Sequence, residues 1–179
     1  MRTTLILIAT ILTLYSRPNL ADVSNTDISA LMPVLVLDFE ILGDSSIESL
    51  RKNDAFLIDK HSKMLRNLLR ENQLFEVVDD EQTMSDMQQA SLQQYLHRCN
   101  GCELKLAAEH GATHVLVPWI QRMSALIQMM NVELRNVKTG EVNLRKAYNF
   151  RGNNEKAWKT AIEFFIEDVQ KIIAAENKK

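Results

Sequence analysis

Cys99 and Cys102 are the only cysteines in the chain, and their spacing is its clearest chemical signal. A Cys-x-x-Cys pair can close a small disulfide, cycle as a redox couple or, once reduced, hold a soft metal ion. His97 stands two residues upstream. His97, Cys99 and Cys102 therefore form a candidate copper or zinc site, although a fourth ligand is missing locally. Glu103 directly after Cys102 excludes c-type haem attachment, which needs Cys-x-x-Cys-His. The spacing predicts a short helix over residues 103–110, and a helix N-terminus lowers a nearby thiol pKa, as a redox pair requires. Against that role, a polar helix precedes the motif here, whereas thioredoxin-like proteins place it directly after a strand. The preferred reading is a structural disulfide locking a turn between two helices, worth about 2 kcal/mol for so small a loop.

The remaining candidates are weaker. His110 and His114 are four apart, but Gly111 breaks the helix between them, so they read as a helix end and a strand start. Asp38, Asp44, Asp79 and Asp80 mark the acidic ends of the first two expected strands and, if those strands are parallel, would gather at one sheet edge, where open α/β sheets bind ligands. No glycine-rich phosphate loop or calcium-loop spacing accompanies them, so they read as loop and capping acids. Arg151, Asn153, Asn154 and Trp158 lead into the final helix and form a candidate partner-binding corner, which Trp119 and Arg122 would extend. Trp158 also begins an apolar stripe, and either asparagine can cap the helix. Met64, Met84 and Met87 sit on helical stripes, where methionine is ordinary core filler. No nucleophile–base–orienter set is visible.

These residues must be positioned by a chain of 179 residues with 21 Lys and Arg, 23 Asp and Glu, 46% hydrophobic and 6% aromatic residues. That composition excludes a disordered chain and a disulfide scaffold, and the net charge of −2 argues against a nucleic-acid partner. Residues 1–21 read as a signal peptide: Arg2 precedes an apolar run over residues 5–15, too short to span a bilayer. Cleavage after Ser16 or Ala21 would leave no stable membrane span; neither is a strong A-x-A site, and retention as an amphipathic anchor is the alternative. With no cysteine near the run, lipid attachment of the bacterial lipoprotein kind is not expected. The mature chain then carries 19 basic and 23 acidic residues, net −4.

Residues 22–32 read as a flexible lead-in, and residues 33–175 as a single α/β domain. Residues 34–41 form an apolar run suited to a strand covered on both faces. A helix capped by Asp54 follows, then a strand at 74–78 and a helix opened by Thr83 and Asp86 in a capping-box-like pattern. Its expected stripe is Met84, Met87, Leu92, Tyr95 and Leu96. Strands at 115–120, 126–137 and 142–150 follow, the last pair turning at Lys138-Thr139-Gly140. Pro118 cannot donate to a sheet ladder and therefore predicts an edge or a bulge. The closing helix is the clearest element, with Trp158, Ala161, Ile162, Phe165, Ile166, Val169, Ile172 and Ile173 on one face. The order β-α-β-α-α-β-β-β-α predicts one mixed sheet of about five strands, parallel at first and ending in an antiparallel meander, with helices packed against it.

The strand at 34–39, the turn Cys99-Asn100-Gly101-Cys102-Glu103, the run over residues 110–117 and the segment over residues 151–158 together resemble an uncharacterised family of exported bacterial proteins, a domain of unknown function. The resemblance spans roughly residues 33–165. It implies a gene neighbourhood beside periplasmic quinoprotein alcohol dehydrogenases, and hence a role in methanol or alcohol oxidation. The element order is also similar to the amino-terminal domain of TolB, a periplasmic module for protein contacts. The resulting expectation is a non-catalytic periplasmic accessory or protein-interaction domain, without a cofactor and with a periplasmic protein as partner. The alternatives are a thiol–disulfide or metal-handling protein acting through Cys99 and Cys102, and a small-ligand binder at the acidic sheet edge.

Overall fold

A computed structural model describes residues 31–43, 48–124 and 126–178. The expected signal peptide, most of the lead-in and Asp44 lie outside the described residues. The strands are β1 (Pro33–Val36), β2 (Glu40–Gly43), β3 (Glu76–Val78), β4 (His114–Arg122), β5 (Ile127–Asn136) and β6 (Val142–Arg151). The helices are α1 (Glu48–Glu71), α2 (Glu81–Gln93), α3 (Cys102–Glu109) and α4 (Glu155–Glu176), with a 3-10 turn at Leu96–Arg98 between α2 and α3. The strands make one mixed sheet in the order β3-β1-β4-β5-β6, with β2 also paired to β4. β1 runs parallel to β3 and β4, and β4, β5 and β6 form an antiparallel meander. The mixed α/β architecture is the expected one, with six strands instead of about five.

The additional strand arises because the run at 34–41 is broken. Val36 lies across from Leu116 and Glu40 across from Trp119, so the first run uses four residues where β4 uses three. The extra residue carries residues 37–39 out of the ladder. Their backbone is satisfied nonetheless: Leu37 N donates to the Leu116 carbonyl at 3.0 Å, and Phe39 N donates to Ser62 Oγ on α1 at 2.9 Å. Pro118 sits opposite this interruption, on an interior strand. Its missing N–H is tolerated because the neighbouring ladder is already interrupted there, so the irregularity belongs to the partner strand. Gly43 ends β2 with φ at +112°, and a Cβ there would lie 2.2 Å from the Arg122 carbonyl oxygen. Only glycine fits that approach.

Alternation along the strands sorts the core into two layers. Val34, Val36, Leu116, Ile120, Met130, Val132 and Leu134 meet Leu57, Leu65 and Leu69 of α1 and Trp158, Ile162, Phe165 and Val169 of α4. On the other face, Leu35, Leu37, Val115 and Val117 lie under Met87, Leu96, Leu106 and Ala107. β1 is covered on both sides, which explains its unbroken apolar run. β6 has one packed face and one open face: Leu144 is buried, Tyr148 and Phe150 are half-buried, while Arg145, Ala147, Asn149 and Arg151 are exposed.

Two helix starts differ from expectation. α1 begins at Glu48, so Asp54 lies inside it, where it is buried against Arg122 instead of capping. α2 is capped by Asp80, whose carboxylate accepts from Thr83 N at 3.1 Å, while Asp86 pairs with His110 at 3.2 Å. Leu92 and Tyr95 are exposed, so the stripe of that helix is narrower than its spacing suggests. α4 is capped by Asn154, which accepts from Ala157 N at 3.0 Å.

β6 is tied to α4 by the Tyr148 hydroxyl, which donates to Asp168 Oδ2 at 2.9 Å, and by Lys146, 3.2 Å from the same carboxylate. The Tyr148 hydrogen bond, and then Lys146, hold the Asp168 carboxyl below its ordinary 3.8, and burial, with Asp168, raises the phenol. Asp80 is lowered as well, chiefly by its bond from the Thr83 hydroxyl. A carboxyl lowered on folding contributes stability that is present above its unfolded pKa and lost as pH falls through the folded one. The thermal midpoint should therefore be level above about pH 5 and fall below about pH 4. Tyr148→Phe should shallow that fall. Circular-dichroism melts across pH check it, and an unchanged acid slope in the variant would remove Asp168 from the explanation.

Candidate functional site

Cys99 and Cys102 are joined as a disulfide with Cα atoms 5.6 Å apart. Between them Asn100 and Gly101 take φ values of 58° and 103°, the left-handed region that asparagine tolerates and glycine favours. Cys102 is the first residue of α3. Glu103 follows, buried, and its carboxylate folds back over the turn to accept from Gly101 N at 3.0 Å. Arg135 of β5 reaches the same carboxylate at 2.5 Å, pairs with Glu133 at 2.7 Å and donates to the His97 carbonyl at 3.3 Å. Arg145 of β6 completes the chain, 2.7 Å from Glu133. These contacts fasten the disulfide turn to the sheet.

His97 is held separately. Glu40 accepts from Leu96 N at 2.6 Å, from His97 N at 3.0 Å and from the His97 ring at Nδ1. The imidazole also stacks on Trp119, with ring centroids 5.8 Å apart and planes 25° apart. Among the described residues, the grouping whose ligand atoms lie within 4.8 Å of one another is Cys99, Cys102 and Glu103, without His97. Closed as a disulfide, the two sulfurs offer no thiolate to a metal. The arrangement is suited to clasping a turn. Replacing both cysteines by serine should cost about 2 kcal/mol or less and leave the fold intact, because the Glu40 and Glu103 contacts remain. Urea titration of the oxidised protein and the double variant measures this, and loss of cooperative folding would mean that the clasp is essential.

The partner-binding candidates separate into two places. Trp158 is 1% exposed and packs against Phe39 and His61, each with ring centroids 5.3 Å away, and against Phe150. Arg122, 3% exposed, makes two hydrogen bonds to Asp54, at 2.8 and 2.5 Å. The Asn153 amide donates to Asp54 at 3.0 Å and accepts from Gln128 at 3.2 Å, while its carbonyl takes Asn53 at 2.9 Å. Folding thus brings Arg122 to the loop before α4, but as an interior joint linking α1, β4, β5 and α4. Asn154 caps α4. Trp119 lies on the other face of the sheet, half-buried against His97, and Arg151 is exposed.

The acidic strand ends are likewise engaged. Asp38 pairs with Arg66 at 2.8 Å, Asp79 with Arg70 at 2.5 Å, and Asp80 caps α2. A cleft of about 360 Å³ opens at the carboxyl end of β1, lined by Asp38, Glu40, Asp54, Met87 and Tyr95 among others. Its three carboxylates are already matched by Arg66, His97 and Arg122. Glu40, Glu133 and Arg135 are thus structural residues that the motifs do not reveal, and Asp54 is one whose role is pairing instead of capping. The available signal was a charge inside an apolar run, as at Glu40, since a charge there must find a partner.

A protein-family profile described as Protein of unknown function (DUF2380) matches residues 33–169. No curated protein matches the sequence. Among solved structures, the LpoB C-terminal domain from Salmonella enterica superposes with a TM-score of 0.50 at 21% identity, covering 68% of this chain and 84% of that one. LpoB from Escherichia coli gives 0.51 at 21% identity, over 68% of this chain and 57% of that one. TolB from Acinetobacter baumannii gives only 0.38 at 12% identity, over 69% and 25% of the two chains. The LpoB likeness supports the fold. No helix among the described residues is long and apolar enough to cross a membrane.

Proposed function

We propose a function from one premise: the chain belongs to that family of unknown function. It acts as a non-catalytic protein-interaction domain, exported by cleavage of residues 1–21 and working in the periplasm. One observation carries this reading. The groups that could perform chemistry are engaged in holding the fold, Glu40 with His97, Glu103 with Arg135, Asp54 with Arg122 and Cys99 with Cys102. Exposed Tyr95, Met123, Leu126 and Ile127 meanwhile supply apolar surface. Such residues, with arginine, are what interfaces use.

The partner implied by the sequence resemblance is a component of a quinoprotein alcohol dehydrogenase system. Tagged mature protein, cross-linked in the periplasm of its native host and identified by mass spectrometry, should recover a dehydrogenase component. Recovery of a different protein would overturn the dehydrogenase link alone. Recovery of nothing above a tag-only control would overturn the interaction reading. A thiol–disulfide or metal-handling role is the second reading, favoured by the place of Cys102 at the start of α3 beside Glu103. A reduction potential below about −300 mV supports the clasp, and one of roughly −120 to −230 mV supports an oxidoreductase.

A further inference from the structure

Helices cover only half of one sheet face. α2, the 3-10 turn and α3 lie over β1 and the first part of β4, where Leu35, Leu37, Val115 and Val117 are buried beneath them. Beyond that cover the face continues in cross-strand rows: Trp119, Asn131 and Ala147 in one, Gln121, Met129 and Asn149 in the next, and Ile127 beside Arg151. Gln128 is buried towards Asn153 on the opposite side, so alternation turns Ile127 and Met129 to this face. A solvated antiparallel face is expected to be polar. This one carries Trp119, Met129 and Ala147, and its β4–β5 hairpin exposes Met123 (72%), Leu126 (70%) and Ile127 (49%).

The boundary of the cover is aromatic and rigid. Arg98 lies 4.9 Å over the exposed Tyr95 ring, Tyr95 meets His97 edge-on at 5.8 Å, and His97 stacks on Trp119. Glu40 and the Cys99–Cys102 clasp fix this ladder before any partner arrives, which lowers the ordering cost of binding. Charge is one-sided as well. Glu133 is the one acid that alternation places on this face of β4, β5 and β6; it is 4% exposed and bridged by Arg135 and Arg145. Among the described residues of the 3-10 turn and of β4, β5 and β6, the exposed charges are Arg98, Arg145 and Arg151, in a chain whose net charge is −2.

Resting on the interaction reading above, we infer that the outer face of β4, β5 and β6 docks an acidic amphipathic helix of a partner protein. Two strand spacings make a platform about 9–10 Å wide, the width of one helix. The partner's apolar stripe lies on Trp119, Met129 and Ala147, and its carboxylates meet Arg98 and Arg151. The docked helix continues the layer that α2 and α3 begin.

The test uses the mature protein with labelled amides and methionine methyls, titrated with a synthetic amphipathic helix of about 18 residues. Its stripe is leucine and its other positions are glutamate; a control carries lysine for glutamate. The expected result is NMR shifts at Met129, the Trp119 indole, Ala147 and Asn149, with binding at least about tenfold weaker for the lysine peptide and for Ala147→Glu or Arg151→Glu. Ala147 and Arg151 are exposed, so unchanged melting of those variants shows that the loss is not unfolding. Equal binding of the lysine peptide, no binding, or shifts confined to Phe56 and Met64 on α1 would overturn it. So would concentration-dependent shifts of the protein alone, which indicate a second copy, or binding to phosphatidylglycerol vesicles through the same residues. Ala147→Glu in the periplasmic cross-linking experiment separates the two levels. A variant that still captures the wild-type partner refutes this surface and leaves the interaction reading standing, whereas an empty wild-type capture refutes the reading itself.

Discussion

Phe165→Ala should lower the stability of the protein by about 3–5 kcal/mol, the range for emptying a buried phenylalanine site. Phe165 is fully buried on the stripe of α4, in the layer shared with α1 and the sheet, and its ring meets Tyr148 edge-on with centroids 6.5 Å apart. Truncation removes the apolar area and leaves a cavity that the surrounding strands and helices cannot close, since α1, β6 and Trp158 hold α4 in place. Chemical denaturation of wild type and variant measures the difference. A loss below about 1 kcal/mol would mean that α4 does not seal the sheet in solution and that its apolar face is a binding surface.

The second large effect is expected at the buried ion pair. Arg122→Ala should cost about 3–5 kcal/mol, because it strips Asp54 of the charge that justifies its burial. The pair joins α1 to β4, and Asn153 and Gln128 extend it to the loop before α4 and to β5, so the loss spreads across four elements. Replacing both partners by apolar residues of similar size, Asp54→Leu with Arg122→Met, should recover part of it, since neither charge of the pair is then left without the other. Denaturation of the two single variants and the double variant forms a cycle that reads the coupling. Equal costs for Arg122→Ala and the double replacement would mean that packing, not charge, dominates there.

Both effects also show what a linear reading can and cannot reach. The stripe of α4 is a local pattern, repeated every three or four residues, so Phe165 and Trp158 were assignable to a buried face without coordinates. The meander was legible for the same reason, since Met130, Val132 and Leu134 alternate and Lys138-Thr139-Gly140 turns the chain. Asp54 was misread as a cap because an acid near a helix start usually is one; its partner stands 68 positions later, on β4. The break at residues 37–39 was equally invisible, because it exists only as a mismatch against β4. The cysteine clasp was visible as a pair. What fastens it, Glu103 to Arg135 and Glu40 to His97, depends on contacts 32 and 57 positions apart.

The position of β1 between β3 and β4 has a consequence for the order of assembly. Val34 pairs with His114, so this ladder closes a chain segment of about 80 residues, whereas β4, β5 and β6 are joined by short turns. Closing the long segment has an entropic cost that the meander does not share, and contacts distant in sequence slow folding. The carboxyl-terminal strands are therefore expected to pair ahead of that ladder, with one side of β4 open. β1 is then expected to close that side and to bring β3 with it, since β3 joins the sheet only through β1. A partner that grips β1 is thus expected to keep β3 from the sheet as well, while leaving the β4–β5–β6 meander paired.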